Sequence, residues 1–215
     1  LRFLSFLGLT GVFLSASFLP LYSKSLASPM GPIPLDMVVG LPMVFETLIG
    51  AATAMLYGRV RFHLGLRTDI ILGSLIIAIG MAVTALTTNF AGLVSGRATV
   101  GLGMGLLMLA FRTSSRIEQD KDRRNAGSVA LTFGVSAGIN AGSVSGGMLA
   151  DRFGMDWVFW AQASLLTLTA LGALVLLRNR CRPESTVNTA TSLSGFLHDR
   201  SVFAFLFFAL LPITA

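Results

Sequence analysis

Long apolar runs, separated by short polar connections, dominate this chain. Seven can be marked, at about 1–22, 34–57, 69–88, 90–111, 126–149, 157–177 and 201–215. A run of ~20 apolar residues is long enough to carry a helix across a ~30 Å hydrocarbon layer. The pattern predicts an all-α membrane protein: a six-helix transmembrane bundle over 1–182, a polar linker over 183–200, and the start of a seventh helix over 201–215. The linker opens on Pro183 and is rich in Ser and Thr, which argues against another helix there. The chain begins at Leu1 and stops inside an apolar run, so it reads as a segment of something longer. Pro20, Tyr22 and Lys24 do not make a small-residue cleavage site, so the first run is read as a span and not as a signal peptide.

Composition agrees with the pattern. The residues are 53% hydrophobic and 12% charged, against ~25% charged in a typical soluble domain. The net charge of +6 does not form a phosphate-binding stripe, because the basic residues sit in clusters between the apolar runs; nucleic acid is excluded as a partner. Those clusters set a topology instead. Of the sixteen Lys and Arg residues, thirteen fall on the side of Arg2, two (Lys24 and Arg152) on the other, and Arg97 lies inside a run. Basic loops are retained in the cytoplasm, so the N-terminus is expected inside the cytoplasmic (inner, plasma) membrane. The single cysteine, Cys181, rules out an internal disulfide and a cysteine-based metal site. The two histidines, His63 and His198, lie in connections, and no His/Asp/Ser constellation suggests an enzyme; no cofactor or metal is expected.

The chemistry-bearing positions lie within the runs. Arg97 is in the fourth and Glu46 near the middle of the second. An ionised group in hydrocarbon is costly unless it is paired or hydrated, so both are candidates for proton coupling or a polar cavity; the alternatives are snorkelling to the outer surface for Arg97 and a polar packing contact for Glu46. Asn140, in the fifth run, is a further cavity candidate or else a helix–helix hydrogen-bonding residue. The fifth run also carries Gly134, Gly138, Gly142 and Gly146 at intervals of four, a stripe that lets another helix backbone approach closely. Gly101, Gly103 and Gly105 follow Arg97 with no strand before them, so they do not form a dinucleotide-binding loop. Trp157, Phe159 and Trp160, opening the sixth run, read as an interfacial aromatic belt.

Several of these motifs resemble those of the major facilitator superfamily, and particularly its proton-coupled drug antiporters. In the fifth run the stretch Gly138-x-x-x-Gly142-Ser143-x-x-Gly146-Gly147 is similar to that family's fifth-helix motif, with Ser143 where a proline is usual. Its continuation through Asp151, Arg152 and Gly154 resembles the family's passage into the sixth helix. Arg97-x-x-x-Gly101, with Gly105 beyond it, matches the family's fourth-helix motif, whose arginine is implicated in proton coupling. Between runs two and three, Gly58, Gly65 and Arg67 keep the family's register, but Phe62 stands where an acid is expected and His63 where an arginine is. That acid normally helps latch the loop to the other half of the transporter. The superfamily builds each half from two three-helix units of inverted topology. In keeping with this, Gly58, Val60, His63 and Gly65 recur in spacing as Gly147, Leu149, Arg152 and Gly154.

The resemblance implies secondary active transport of a small-molecule substrate by alternating access, with protons as coupling partner, the lipid bilayer around it and a C-terminal six-helix half following in the same chain. Proton-coupled efflux of small organic compounds is the reading expected. Uptake or exchange of another metabolite is one alternative, and a non-transporting membrane module fused to a sensor or enzyme domain is another.

Overall fold

The structure is a computed structural model that describes residues 2–27, 35–59, 65–114 and 121–177. The expected linker over 183–200, the expected helix start at 201–215, and Phe62, His63 and Cys181 lie outside the described residues. Among the described residues there are seven helices and no strand: α1 (Arg2–Phe13), α2 (Leu19–Leu26), α3 (Leu35–Arg59), α4 (Leu66–Leu86), α5 (Phe90–Ser114), α6 (Lys121–Phe153) and α7 (Met155–Leu176). Four of them are long and apolar enough to cross a membrane unaided, namely Leu35–Tyr57, Leu66–Leu86, Phe90–Arg112 and Met155–Leu176.

The other two expected spans depart from a plain apolar helix. The first run is not one helix: α1 and α2 are separated by a turn over residues 14–18. Pro20 lies in the first turn of α2 and has no N–H to offer the Ala16 carbonyl, and its ring crowds that carbonyl, so the helix breaks one turn upstream. Leu19 N–H instead bonds the Ser15 carbonyl at 2.9 Å. The fifth run becomes α6, 33 residues and ~50 Å long, because the polar stretch from Lys121 continues the helix. Its glycines and serines leave it less apolar than the others, and its membrane face depends on packing. Gly154, at φ 90°, separates α6 from α7, and its N–H caps the Ala150 carbonyl at 3.0 Å. A side chain there would strain the turn.

Packing follows a two-fold plan. Taking α1–α2, α3 and α4 as one unit and α5, α6 and α7 as the other, α3 packs on α5 as α6 packs on α1. In the same way α4 packs on α5 as α7 packs on α1, while α4 and α7 pack on each other. Exchanging the two units maps these main contacts onto one another, as two related three-helix repeats require, while the contact of α6 with α7 has no equal between α3 and α4. The buried core runs through α1, α4, α5 and α7, with Leu9, Ile77, Met81, Leu93, Val100, Leu107 and Leu166 fully enclosed. By contrast α3 and α6 are peripheral and expose large apolar side chains, among them Met37, Leu48, Met55, Val129, Phe133 and Met148.

Small residues decide how close the helices come. Successive residues of an α-helix are rotated by ~100°, so Gly101 and Gly105 share one face of α5, while Gly96 and Gly103 lie on another. Gly101 and Gly105 sit against the α3 backbone at Glu46 and Gly50. Gly96 and Gly103 interlock with Gly80 and Gly73 of α4; a methyl on Gly103 would lie 2.6 Å from the Gly73 carbonyl oxygen. On α6, Gly138, Gly142 and Gly146 lie against α1 at Phe6, Thr10 and Leu14.

Candidate functional site at a buried arginine

Arg97, seven residues into α5, is only 1% exposed. Every polar contact it has comes from a different part of the fold. Its Nη2 donates to the Ser15 hydroxyl at 2.9 Å, and Ser15 stands in the turn between α1 and α2. Its Nη1 donates to Glu46 Oε2, on α3, at 3.4 Å. The ring of Phe159, on α7, lies under the guanidinium with 5.4 Å between the guanidinium carbon and the ring centroid, within reach of a cation–π attraction. Phe159 is itself fixed by Phe18, with ring centroids 5.6 Å apart, and edge-on by Tyr22 of α2 at 5.1 Å.

Behind Ser15 is a second buried polar residue, Gln162 of α7, with no exposed surface. Its side-chain nitrogen donates to the Gly11 and Val12 carbonyls at 2.9 and 3.1 Å, and to the Ser15 hydroxyl at 3.2 Å. The Ser15 oxygen therefore accepts from both Arg97 and Gln162. Among the described residues, Arg97 Nε and Gln162 Oε1 have no hydrogen-bond partner. The guanidinium thus bonds through two of its three nitrogens. Removing one partner of a buried ion pair is far more costly than replacing both, because it leaves an uncompensated charge in a low-dielectric interior. Such a pair can persist in a bundle only if the surrounding packing enforces it. The enforcing contact here is the α3–α5 crossing, where Gly101 lets the Glu46 backbone close in, one helical turn beyond Arg97. The Glu46 side chain is 14% exposed against 2% for Arg97, so it is the member of the pair that faces outward.

The structure thus brings Glu46 and Arg97 together. Asn140 sits apart from them, exposed on α6, with its amide nitrogen bonded to the Ser136 carbonyl of its own helix at 2.8 Å. The Ser143 hydroxyl donates to Ile139 O, also within α6. Gly134 is buried on the stripe that faces α1, and Gly147 lies beside Ser17. Gly58 is next to last in α3, Gly65 precedes α4, and Arg67 is half-buried in the first turn of α4. Asp151 and Arg152 are exposed at the end of α6.

Sequence reasoning missed Ser15, Gln162 and the role of Phe159. Gln162 offered a signal, as an amide in the middle of an apolar run; Ser15 offered none. The expected aromatic belt is split: Trp157 and Trp160 are exposed, whereas Phe159 is buried beneath Arg97. A second missed feature lies at the α3–α4 end, where Asp69 is 2% exposed and accepts a hydrogen bond from the Tyr57 hydroxyl. Asp69 stands at the first position of the third apolar run, where a charged residue does not stand out.

A family model for the Major Facilitator Superfamily matches residues 1–214. The chain is 31% identical over 188 residues to the multidrug resistance protein MdtG of Enterobacter lignolyticus (strain SCF1), covering 87% of this chain and 43% of that protein. It is 31% identical over 169 residues to MdtG of Citrobacter koseri, covering 78% and 41%. Against MdtG of Salmonella arizonae the figures are 29% over 188 residues, 87% and 44%. The chain spans less than half the length of these relatives. With its paired three-helix units and apolar spanning helices, it is an integral membrane protein of a transporter family and not an enzyme: it belongs to the major facilitator superfamily.

Proposed function

We propose that this chain is the N-terminal half of a secondary transporter that expels small organic compounds by alternating access, driven by protons. The observation that carries the reading is the buried Arg97–Glu46 pair, a fixed cation facing a partly exposed carboxylate inside the membrane-spanning bundle. In this reading Glu46 exchanges a proton with the aqueous cavity. Ionised, it pairs with Arg97 and holds α3 against α5; protonated, it loses that attraction and changes the cost of one orientation of the bundle. The glycine-lined crossings at Gly101 and Gly105 and along Gly134–Gly146 are the interfaces on which helices slide or close.

The name of the relatives, multidrug resistance protein, supports small organic substrates and an outward direction. The peripheral apolar faces of α3 and α6 suit contact with a C-terminal six-helix half, which the sequence leads one to expect after a linker over 183–200. The basic-residue asymmetry supports a cytoplasmic N-terminus in the cytoplasmic membrane. The test is Glu46→Gln in the intact protein reconstituted into liposomes. Glutamine keeps the shape of the protonated carboxyl and cannot ionise, so transport should lose its pH dependence while insertion and folding are retained. Unaltered proton coupling in that variant refutes the role of Glu46.

A further inference from the structure

The contacts around Arg97 are unequal, and the inequality says which helix responds to a proton. On one side Arg97 is clamped. Its Nη2 bonds Ser15 at 2.9 Å, Ser15 is held by Gln162, and Gln162 is held by the Gly11 and Val12 carbonyls of α1. Phe159 closes the clamp from below, wedged by Phe18 and Tyr22. On the other side stands one contact of 3.4 Å, to Glu46. We propose that Ser15 and Gln162 are positioning residues that keep Arg97 fixed to α1 and α7 in both protonation states, so that α3 is the element that moves when Glu46 takes up a proton. This rests on the reading of Glu46 as the proton-exchanging group.

The build of α3 agrees. It is the least buried of the long helices, and its side chains at Val44, Leu48, Met55 and Leu56 are outside the packed core. It meets α5 at Gly101 and Gly105, where the backbone at Glu46 and Gly50 and the Thr53 β-carbon come close. Pro42, one turn before Glu46, removes an N–H from the helix ladder and supplies a point of bending. Arg97 has no such freedom, because shifting it would break its bond to Ser15, itself held by Gln162, and strip the cation from Phe159. Among the described residues, the titratable groups facing Arg97 are Glu46 of α3 and Tyr22 of α2, with Asp156 of α7 near Tyr22; the turn after α1 presents the Ser15 hydroxyl.

The test uses the intact protein in liposomes with native cysteines replaced, Cys181 included, and pairs of spin labels read by dipolar spectroscopy. One pair, at Leu48→Cys and Leu168→Cys, spans α3 and α7; the other, at Leu102→Cys and Leu168→Cys, spans α5 and α7. All three sites are exposed. Between alkaline and acid buffer the α3–α7 distance should change by ~2 Å or more, the scale of helix shifts in switching proteins, while the α5–α7 distance stays fixed. Glu46→Gln should hold α3 at its acid position at every pH. Ser15→Ala frees Arg97 to follow Glu46, so it should displace the pH profile of transport, and Ser15→Thr should restore it. Gln162→Met, of similar volume, should displace the profile in the same direction. An α5–α7 distance that changes with pH as much as α3–α7 overturns the clamp, as do pH profiles unmoved by both Ser15→Ala and Gln162→Met. If Glu46→Gln retains pH-dependent transport, the proton-exchange reading fails as well. If that variant loses it but α3 is unmoved in the unmodified protein, only the clamp fails.

Discussion

Adding one methyl group at Gly142 should separate α1 from α6. A β-carbon there would lie 2.6 Å from the Thr10 carbonyl oxygen and 3.2 Å from the Phe13 carbonyl carbon. Non-bonded heavy atoms rest at ~3.5 Å or more, so the two helices must part by ~0.5–1 Å along a stripe that includes Gly138 and Gly146. Neither obstacle is a flexible side chain; both are backbone. Forcing a methyl into a packed interior costs ~1–3 kcal/mol, a factor of ~5 to ~150 in the folded-to-unfolded ratio at tenfold per ~1.4 kcal/mol. At ~2–4 °C per kcal/mol for a domain of this size, Gly142→Ala should lower the melting midpoint of the detergent-solubilised protein by between ~2 and ~12 °C. Gly127→Ala is the control on the same helix, because a β-carbon there meets nothing within 4 Å. It relieves the helix penalty of glycine, worth ~0.5–1 kcal/mol, and should leave the midpoint unchanged or slightly raised. The assay is thermal unfolding followed by fluorescence-detected size exclusion. If Gly142→Ala melts with Gly127→Ala, the α1–α6 crossing is not held at backbone contact and the packing argument is wrong.

Two further outcomes follow from other parts of the fold. Tyr57→Phe deletes a hydroxyl that donates to the buried Asp69 carboxylate; hydrogen bonds to charged groups are worth ~1.5–3 kcal/mol, and the same melting assay should register a loss of that order. An unchanged midpoint would mean that Asp69 is fully satisfied without Tyr57. For topology, Arg61→Cys and Lys121→Cys should react with a membrane-impermeant maleimide only after the cytoplasmic face is opened, while Lys24→Cys should react in intact cells. External labelling of Arg61→Cys or Lys121→Cys would invert the proposed orientation.

The all-helical membrane class was legible because apolar run length is a direct consequence of bilayer thickness, and four runs appear as helices within a few residues of their expected ends. The break after Phe13 was not, although Pro20 marked it. A proline near the end of an apolar run can close one helix or open the next, and here it stands in the first turn of α2. At the site, Glu46 and Arg97 stood out because charge inside an apolar run is rare. Ser15 did not, and Gln162 showed only as an amide in an apolar run, because their joint role comes from a contact across 147 residues that no local pattern encodes. Phe159 was misplaced for a related reason: its neighbours Trp157 and Trp160 do face outward, and one step along the helix turns Phe159 by ~100° onto the arginine.

The two-fold plan also explains why an internal sequence match is a weak guide to function in such a bundle. The α3–α5 and α6–α1 crossings are equivalent in the fold, yet their glycines come from opposite partners. In the first, Gly101 and Gly105 sit on α5, the fourth span. In the second, Gly138, Gly142 and Gly146 sit on α6, the fifth. Close approach needs a small residue on one side of a contact and does not specify which side, so two repeats can preserve a geometry while exchanging the residues that create it. Charge does not share that tolerance. Among the described residues of the two crossings, an acid meets a buried base at α3–α5 alone, and the position of Glu46, displaced by the 89 residues that separate Gly58 from Gly147, falls on Val135 in the other repeat. A symmetric scaffold with such a pair in one of the two crossings has two helix–helix contacts built for close approach, and the proton response proposed here belongs to the one that carries Glu46.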